Sequence, residues 1–307
     1  MSLFRAALLA PALLTLNGCL YMDMGDFARY SRDFHLNFPL NSGGHVSVEG
    51  FNGSIEITPW NQPTVDISGT KHAPSESQVD ALKIDVDHTP DTISIHASRQ
   101  YDSHGNYGVR FAIKVPRGTA LDRIMTSNGS IHALEGNGPA RLKSSNGAIR
   151  VEKFHGALDI QTSNGAIELD EVDGAVTAHS SNGHIQADGM RGSLDAQTSN
   201  SSIKAAFLSI DRELRADTHN GSIDLALPAN LAYGARAHTN NSGITIRLAE
   251  PANVRVSAHT SNSSVTSEFD TVMHGDLRRN EFEGSIGKGG PLLDLSSSNG
   301  SIKIVRN

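Results

Sequence analysis

Histidine, serine and aspartate are the residues of this chain that invite a catalytic interpretation. The 307 residues include 14 histidines, and His179 precedes Ser180 while His238 precedes Thr239. A hydrolase triad needs a hydroxyl, a base and an orienting carboxylate in contact, and no GxSxG nucleophile-elbow motif accompanies these pairs. We therefore predict exposed strand or turn positions, no catalytic residue and no enzyme activity. The same interpretation covers the histidines of the repeat region, which occupy differing repeat positions: His132, His155, His179, His184, His219, His238 and His259.

Carboxylates cluster in the segment ELDEVDG, which holds Glu168, Asp170, Glu171 and Asp173. They lack the spacing of the oxygen ligands in an EF-hand and its closing glutamate. Neither HExxH nor a cysteine pair occurs, so the ligand spacings typical of zinc sites are also missing. Strand alternation places Glu168 and Asp170 on one outward face. We predict a solvated face with no metal and no cofactor, and weak calcium binding is the alternative.

The first 18 residues have the pattern of a signal peptide. A short start carrying Arg5 precedes the apolar run AALLAPALLTL, and small residues follow up to Cys19. The run is too short to span a bilayer core, which requires about 20 helical residues. We predict that residues 1–18 direct export and are then removed.

Cys19 is the only cysteine in the chain, so it has no partner for an intramolecular disulfide. The residues Leu16-Asn17-Gly18-Cys19 resemble the lipobox of bacterial lipoproteins. That resemblance implies lipidation at Cys19, by chains such as palmitate, and a membrane partner through the N-terminal lipid. It also implies a cell-envelope location, with the outer membrane favoured by Leu20 if the cell has two membranes. The alternative is a chance cysteine beside an ordinary signal cleavage site.

An internal repeat dominates the rest of the chain. The strings TSNGSI, SSNGAI, TSNGAI, SSNGHI and TSNSSI recur every 18 residues, and THNGSI follows after 20. Within a repeat, apolar residues alternate as in β-strands, whereas a helix would need spacings of three and four. We predict that Asn and Gly form the first turn because both tolerate positive φ, and that Gly156, Gly174 and Gly192 mark the second. The predicted structural turn ladder is Asn128, Asn146, Asn164, Asn182, Asn200 and Asn220.

These repeats predict an all-β fold, a single-chain parallel β-solenoid (β-helix-like) of about 18-residue coils. Stacked coils explain why the whole Thr/Ser-Ser-Asn-Gly string recurs, since equivalent side chains then hydrogen-bond along the axis. An antiparallel meander, which would demand only the turn residues, is the alternative. Aromatic residues make up only 5% of the chain, which agrees with small, regular packing.

The predicted organisation has four parts. Residues 1–18 are the signal peptide and 19–40 a lipid-anchored tether. Residues 41–122 form an N-terminal β-rich cap or the first coils, interrupted by a short helix over about 75–82 with Ser75 as N-cap. Residues 123–307 form the repeat β-solenoid, with a loop insertion over 270–291.

The chain resembles a bacterial family of adhesin-like β-strand-repeat lipoproteins of unknown function. The resemblance covers about residues 41–307 and rests on GFNGSIEITPW, TVDISGT and VRFAIKVPRGTALDRIMTSNGSI. It implies a stacked β fold, export and a role in surface contact or envelope upkeep, and it supplies no catalytic residues.

We therefore expect a non-catalytic exported lipoprotein that presents a β-solenoid surface for adhesion or envelope interaction. A surface polysaccharide or an envelope protein is the expected partner, and the net charge of −7 without a basic patch excludes nucleic acid. The alternatives are a polysaccharide-active β-helix enzyme (lyase or hydrolase) and a structural envelope-stress component. Against the enzyme stands the scatter of the basic residues, which share no register: Lys143, Arg150, Lys153, Arg191 and Lys204.

Overall fold

The computed structural model describes residues 30–99, 107–273 and 279–307. Signal residues 1–18 and the proposed lipidation site Cys19 lie outside the described residues. The described part forms one α-helix, α1 (Glu76–Ala81), and 26 β-strands: β1 (Tyr30–Pro39), β2 (His45–Glu49), β3 (Ile55–Trp60), β4 (Thr64–Ala73), β5 (Leu82–His88), β6 (Thr92–Arg99), β7 (Gly108–Pro116), β8 (Ala120–Met125), β9 (Ile131–Asn137), β10 (Ala140–Lys143), β11 (Ile149–His155), β12 (Leu158–Gln161), β13 (Ile167–Asp170), β14 (Asp173–His179), β15 (Ile185–Thr198), β16 (Ile203–Ser209), β17 (Leu214–Thr218), β18 (Ile223–Leu227), β19 (Ala235–Thr239), β20 (Ile244–Leu248), β21 (Val254–Thr260), β22 (Val265–Ser267), β23 (Thr271–Met273), β24 (Glu281–Ile286), β25 (Leu292–Ser297) and β26 (Ile302–Arg306).

The strands of the repeat region pair in parallel, which confirms the β-solenoid and excludes the meander. β11 lies between β9 and β13, so Ile149 pairs with both Ile131 and Ile167, residues 18 positions away on either side. β12 likewise lies between β10 and β14. Each coil therefore has an entry strand that leads into the asparagine turn and an exit strand that follows it.

The core is a stack of identical inward rows. Ile131, Ile149, Ile167, Ile185 and Ile203 follow one another in register, and each is at most 1% exposed. Full burial of such a side chain contributes roughly 1.5–3 kcal/mol. Small and branched residues suffice because each coil packs on a copy of itself, which explains the low aromatic content.

A buried hydroxyl at the start of each asparagine turn ties the coils together. The Ser144 hydroxyl donates to the Gly129 carbonyl at 2.9 Å and accepts from the Gly147 amide at 2.9 Å. Thr162 bridges Gly147 and Gly165 in the same way. Threonine and serine can therefore alternate at this repeat position without loss of these hydrogen bonds, since either residue supplies the required hydroxyl.

Glycine in the asparagine turn has a different cause from the predicted one. Neither Asn164 nor Gly165 has a positive φ. A Cβ on Gly165 would instead lie 1.9 Å from the Gly147 carbonyl oxygen of the adjacent coil. Close approach of the stacked backbones thus requires glycine here. Gly156 lies in the second turn, as predicted, and there the backbone does adopt a positive φ, 133°.

The coils at both ends do not stack in sequence order. Coil β2–β3 lies between β6–β7 and β8–β9. At the other end, coil β25–β26 lies between β19–β20 and β21–β22. The first and last coils of the described chain are therefore second from the ends of the stack.

Antiparallel strands cover the two ends. β5 pairs with β6, β4 with β7, and β1 with β4. The sequence pattern predicts a tether over residues 19–40, but Tyr30–Pro39 is part of this cap, because Phe34 packs edge-on against the buried Phe111, 5.8 Å between ring centroids.

At the opposite end the predicted loop insertion over 270–291 is wrong for the stretch that forms β24. β24 pairs antiparallel with β21 and buries Phe282 and Ile286, while β23 pairs with β24. Covering a terminal strand in this way removes an open edge.

The short helix agrees with the prediction. α1 connects β4 to β5, and the Ser75 side chain accepts a hydrogen bond from the backbone amide of Gln78. Val79, 1% exposed, anchors the helix to the cap.

Candidate functional site

A groove runs along the solenoid where the exit strands bend toward the second turn. The bend falls at Glu135, Lys153 and Glu171, whose φ angles are 55°, 54° and 52°, and at Gly189, with φ 66°. A left-handed conformation is uncommon outside glycine, and here it recurs at the same position in successive coils. It allows the next residue, such as Phe154 or Val172, to turn into the core. We call these positions the corner row.

A second row lies two residues further along each coil. His155 pairs with Asn137 on one side and with Asp173 on the other, and Asp173 pairs with Arg191. The corner row and this second row form the walls of a cavity of about 590 Å³. Leu208, a large apolar side chain that is 56% exposed, lies at the end beyond Arg191.

The groove carries alternating charge along the axis. Positions 117, 135, 153 and 171, spaced by 18 residues, are Arg, Glu, Lys and Glu. Arg117 and Glu135 form an ion pair with each other, and His155 Nδ1 lies 3.9 Å from Asp173 Oδ2. Among the described residues, the exposed side chains of Lys153, Glu171 and Arg191 have no hydrogen-bond or ion-pair partner. These three side chains are thus available to a ligand.

The predicted turn asparagines lie in one row on another edge of the solenoid. The side-chain amide of each donates to the Oδ1 of the asparagine in the adjacent coil, at 2.5 Å for Asn128 to Asn52 and 2.7 Å for Asn200 to Asn182. Asn146, Asn164 and Asn220 take part in the same way. Because each amide both donates and accepts within the row, the row is a structural element.

The carboxylates of ELDEVDG are divided between two surfaces. Glu168 and Asp170 point outward from β13, as their alternation predicts, whereas Glu171 and Asp173 belong to the groove. Within residues 30–99, 107–273 and 279–307, no group of three or more histidine, cysteine or acidic side chains is arranged to hold a metal ion.

Three of the histidines share a register, contrary to the differing positions expected from the sequence. His179 pairs with Gln197, Gln197 with Asp217, and Asp217 with His238, and His238 and His259 both pair with Ser296. The irregular coil lengths after Asn200 conceal this register in the sequence. His238 Nδ1 lies 2.7 Å from the Ser296 hydroxyl, so this histidine is engaged in a local polar contact.

His132, Arg150 and Glu152 form an ion cluster on the outward face of the exit strands. Glu152 accepts hydrogen bonds from His132 Nε2 at 2.9 Å and from Arg150 Nε at 2.7 Å. The hydrogen bond from His132, followed by the contact with Arg150, lowers the pKa of the Glu152 carboxyl despite some opposing desolvation. The same contact with Glu152 raises the pKa of Arg150. This cluster lies outside the groove.

Sequence reasoning missed the groove because it compared basic residues only with one another. Lys153 and Arg191 occupy different rows and therefore share no register, as expected, yet the fold places them along the same groove. The pattern that could have revealed the groove is the alternation of positive and negative charge at 18-residue intervals, from Arg117 through Glu135 and Lys153 to Glu171.

In the described part of the chain no helix has the length and apolar character needed to cross a membrane; α1 has six residues.

A family model described as Toastrack DUF4097 matches residues 47–277. Two solved structures are similar over most of their length. One is a putative cell adhesion protein from Clostridium sporogenes ATCC 15579, at 10% identity and a TM-score of 0.27, over 90% of this chain and 100% of the other. The second is a putative adhesin from Bacteroides fragilis NCTC 9343, at 15% identity and a TM-score of 0.40, over 89% and 97%. Matches this distant carry no argument about ligand or activity. No curated protein matches the chain.

Proposed function

Since this chain belongs to the Toastrack DUF4097 family, defined by a domain of unknown function, we propose that it is an exported lipoprotein that binds a surface polymer or envelope protein without chemical turnover. The groove carries this proposal. It is a cavity of about 590 Å³, and three of the charged side chains that line it have no partner in the described part of the protein. Concave sites with a few convergent polar groups are the usual places for ligands.

A rigid solenoid suits an extended ligand. The groove walls come from successive coils that are hydrogen-bonded to one another, so the positions of their charged groups are set by the coil spacing of about 4.8 Å. Groups held on rigid elements bind with little loss of conformational entropy at the backbone. The surface therefore offers a preformed row of contacts to a polymer that runs parallel to the solenoid axis.

Lipidation at Cys19 would attach the protein at the end of the stack that is covered by β1, β4 and β5. Residues 20–29 separate Cys19 from β1, and ten residues span at most about 35 Å. β1 belongs to the antiparallel cap, and the groove begins at Arg117, directly after β7, which pairs with β4 of that cap. In this arrangement the groove runs along the side of the stack, starting near the attached end.

The first experiment tests attachment and exposure together. We expect globomycin-sensitive incorporation of a palmitate analogue into the wild-type chain and none into Cys19→Ser. Protease added to intact cells should then cleave the body of the wild-type protein. Labelling without cleavage would place the partner inside the envelope, and no labelling would contradict the lipid anchor.

A second experiment tests the groove. Cells that carry the double variant Lys153→Glu/Arg191→Glu should lose attachment to a polysaccharide-coated surface, whereas Lys143→Glu/Lys204→Glu, with the same charge change on exposed strand positions, should attach like wild type. Equal attachment by both double variants would contradict a binding role for the groove.

A polysaccharide-active enzyme is the second candidate, favoured by the presence of Glu171 and Asp173 beside Lys153 in one groove. Enzymes of this class need a carboxylate or base next to the bond that breaks. Mass spectrometry of oligosaccharides incubated with the protein separates the two functions: shortened products would support the enzyme, and intact ligand recovered with the protein would support the binder.

A further inference from the structure

The three unpartnered charges of the groove follow a definite order along the axis. Arg117 and Glu135 neutralise each other. Beyond them, Lys153 lies in one coil, Glu171 and Asp173 in the next, and Arg191 in the coil after that. A ligand therefore meets a cation, a pair of carboxylates and a second cation in succession.

Coil spacing sets the distance between these groups. Neighbouring coils are separated by about 4.8 Å, so the levels of Lys153 and Arg191 differ by roughly 9.6 Å. Two anionic groups of a ligand whose positions along the axis differ by about this distance can each approach a cation. The group between them faces Glu171 and Asp173, where a hydroxyl or amide N–H can donate a hydrogen bond and a further anion would be repelled.

From this order we propose that the groove binds an acidic polysaccharide in which an anionic sugar alternates with an uncharged sugar bearing hydroxyl or amide groups. The inference rests on the proposed binding function and specifies the ligand class for the same groove. One sugar unit is close in length to one coil spacing, so anions on alternate sugars coincide with the levels of Lys153 and Arg191. The exposed Leu208 offers an apolar contact to the C–H face of the next sugar.

An extended peptide fits this spacing less well. Side chains on one face of a β-strand recur every two residues, which is about 6.6–6.8 Å. That period matches neither one coil spacing nor two. A polysaccharide with an anion on every sugar is also disfavoured, because every second anion would face the carboxylates of Glu171 and Asp173.

Isothermal titration calorimetry on the full chain, purified in detergent, tests the ligand class with three probes of equal length. A hyaluronan octasaccharide carries a carboxylate on alternate sugars, octagalacturonate carries one on every sugar, and maltooctaose carries none. We expect the hyaluronan probe to bind at least about tenfold more tightly than either other probe, since each charge-assisted contact contributes about this factor. Equal binding of all three, or tighter binding of octagalacturonate, would overturn the ligand class.

Charge variants give the second readout. Lys153→Glu and Arg191→Glu should each lower the affinity for the hyaluronan probe about tenfold or more. Lys204→Glu, at an exposed position outside the groove, should leave this affinity unchanged. Glu171→Lys should shift the preference toward octagalacturonate, because it replaces a repelling group by an attracting one. Lysine already occupies the equivalent left-handed position at Lys153, and circular dichroism checks that each variant is folded.

Failure of this inference differs from failure of the proposed function. If no probe binds while Lys153→Glu/Arg191→Glu still abolishes attachment of intact cells, the ligand class is wrong and the binding function stands. If no probe binds and attachment is also unaffected, both are wrong.

Discussion

Asn299 donates its side-chain amide to the Oδ1 of Asn241, 58 residues earlier in the chain, at 2.8 Å. Asn262 does not contact Asn241 but donates to Asn299, also at 2.8 Å. The last coil is therefore inserted between two earlier ones. Since β2–β3 is enclosed in the same manner at the other end, both coils nearest the chain termini are hydrogen-bonded on two sides. Chain ends commonly fray, and this arrangement secures them.

Engineered disulfides test the coil order. In a Cys19→Ser background, His238→Cys/Ser296→Cys should oxidise readily, because these residues are direct partners on adjacent parallel strands. His238→Cys/His259→Cys should not, because β25 lies between them and the separation is about 9.6 Å, beyond the roughly 7 Å limit for a disulfide. Non-reducing electrophoresis and peptide mapping would detect each bond. The reverse result would mean that the coils stack in sequence order.

Ile167→Asp tests the inward rows. Ile167 is 0% exposed, between Ile149 and Ile185 in its row. A carboxylate there would be buried without a partner, so we expect the free energy of unfolding to fall by more than about 4 kcal/mol. Urea denaturation followed by circular dichroism measures this change. The neighbouring Glu168→Gln, on the outward face, should cost under about 0.5 kcal/mol, and similar losses in both variants would contradict the assignment of strand faces.

Asn164→Ala tests the asparagine row. The substitution removes the hydrogen bonds to Asn146 and from Asn182, at 2.6 and 2.7 Å. At about 0.5–1.5 kcal/mol per bond, a loss of about 1–3 kcal/mol in unfolding free energy is expected for the two bonds. Ser163→Ala is the matched control, since Ser163 is exposed and contributes to the turn through its backbone. A shift in the urea midpoint no larger than that of the control would mean that the row adds nothing to stability.

Two glycine variants separate close approach from backbone conformation. Gly165→Ala places a Cβ 1.9 Å from a carbonyl oxygen at an ordinary φ, so the coils must shift, and we expect a cost of about 3 kcal/mol. A Cβ at Gly138 would make only an ordinary van der Waals contact, with the Ala120 Cβ at 3.6 Å, but the φ is 78°, for which a cost of about 1 kcal/mol is expected in Gly138→Ala. Thermal or urea denaturation ranks the two, and a larger loss for Gly138→Ala would reverse this explanation of the Asn-Gly turn.

Acid should remove the stabilisation that Glu152 provides. Hydrogen bonds from His132 and Arg150 lower the pKa of this carboxyl in the folded protein. Its contribution is therefore complete above the unfolded-state pKa of about 4.3 and is lost as the pH falls through the lower folded-state value. In urea denaturation Glu152→Gln should be less stable than wild type at pH 7, and the difference should shrink as the pH falls below about 4.3. A gap that stays constant over this range would show that the carboxylate charge is irrelevant.

The architecture of a single coil can be predicted from the linear sequence. The 18-residue recurrence of Thr/Ser-Ser-Asn-Gly predicted stacked parallel strands, and the alternation around Ile167 predicted which side chains are buried, because both are local consequences of strand geometry. The helix after Ser75 followed from its capping pattern. These features depend on residues near one another in the chain, so a linear pattern is sufficient to reveal them.

The order of the end coils, the cap and the groove depends on long-range packing and is visible only in the folded protein. Asn299 carries the same motif as the other turn asparagines, so nothing local specifies that its coil lies beside Asn241 rather than beyond Asn262. Lys153 and Arg191 likewise lie along one groove only after the coils have stacked, because they belong to coils that are two apart. Equivalent repeats make many stacking orders similar in energy, and the choice among them depends on long-range packing, such as that of Phe282 in β24 against the last stacked coil.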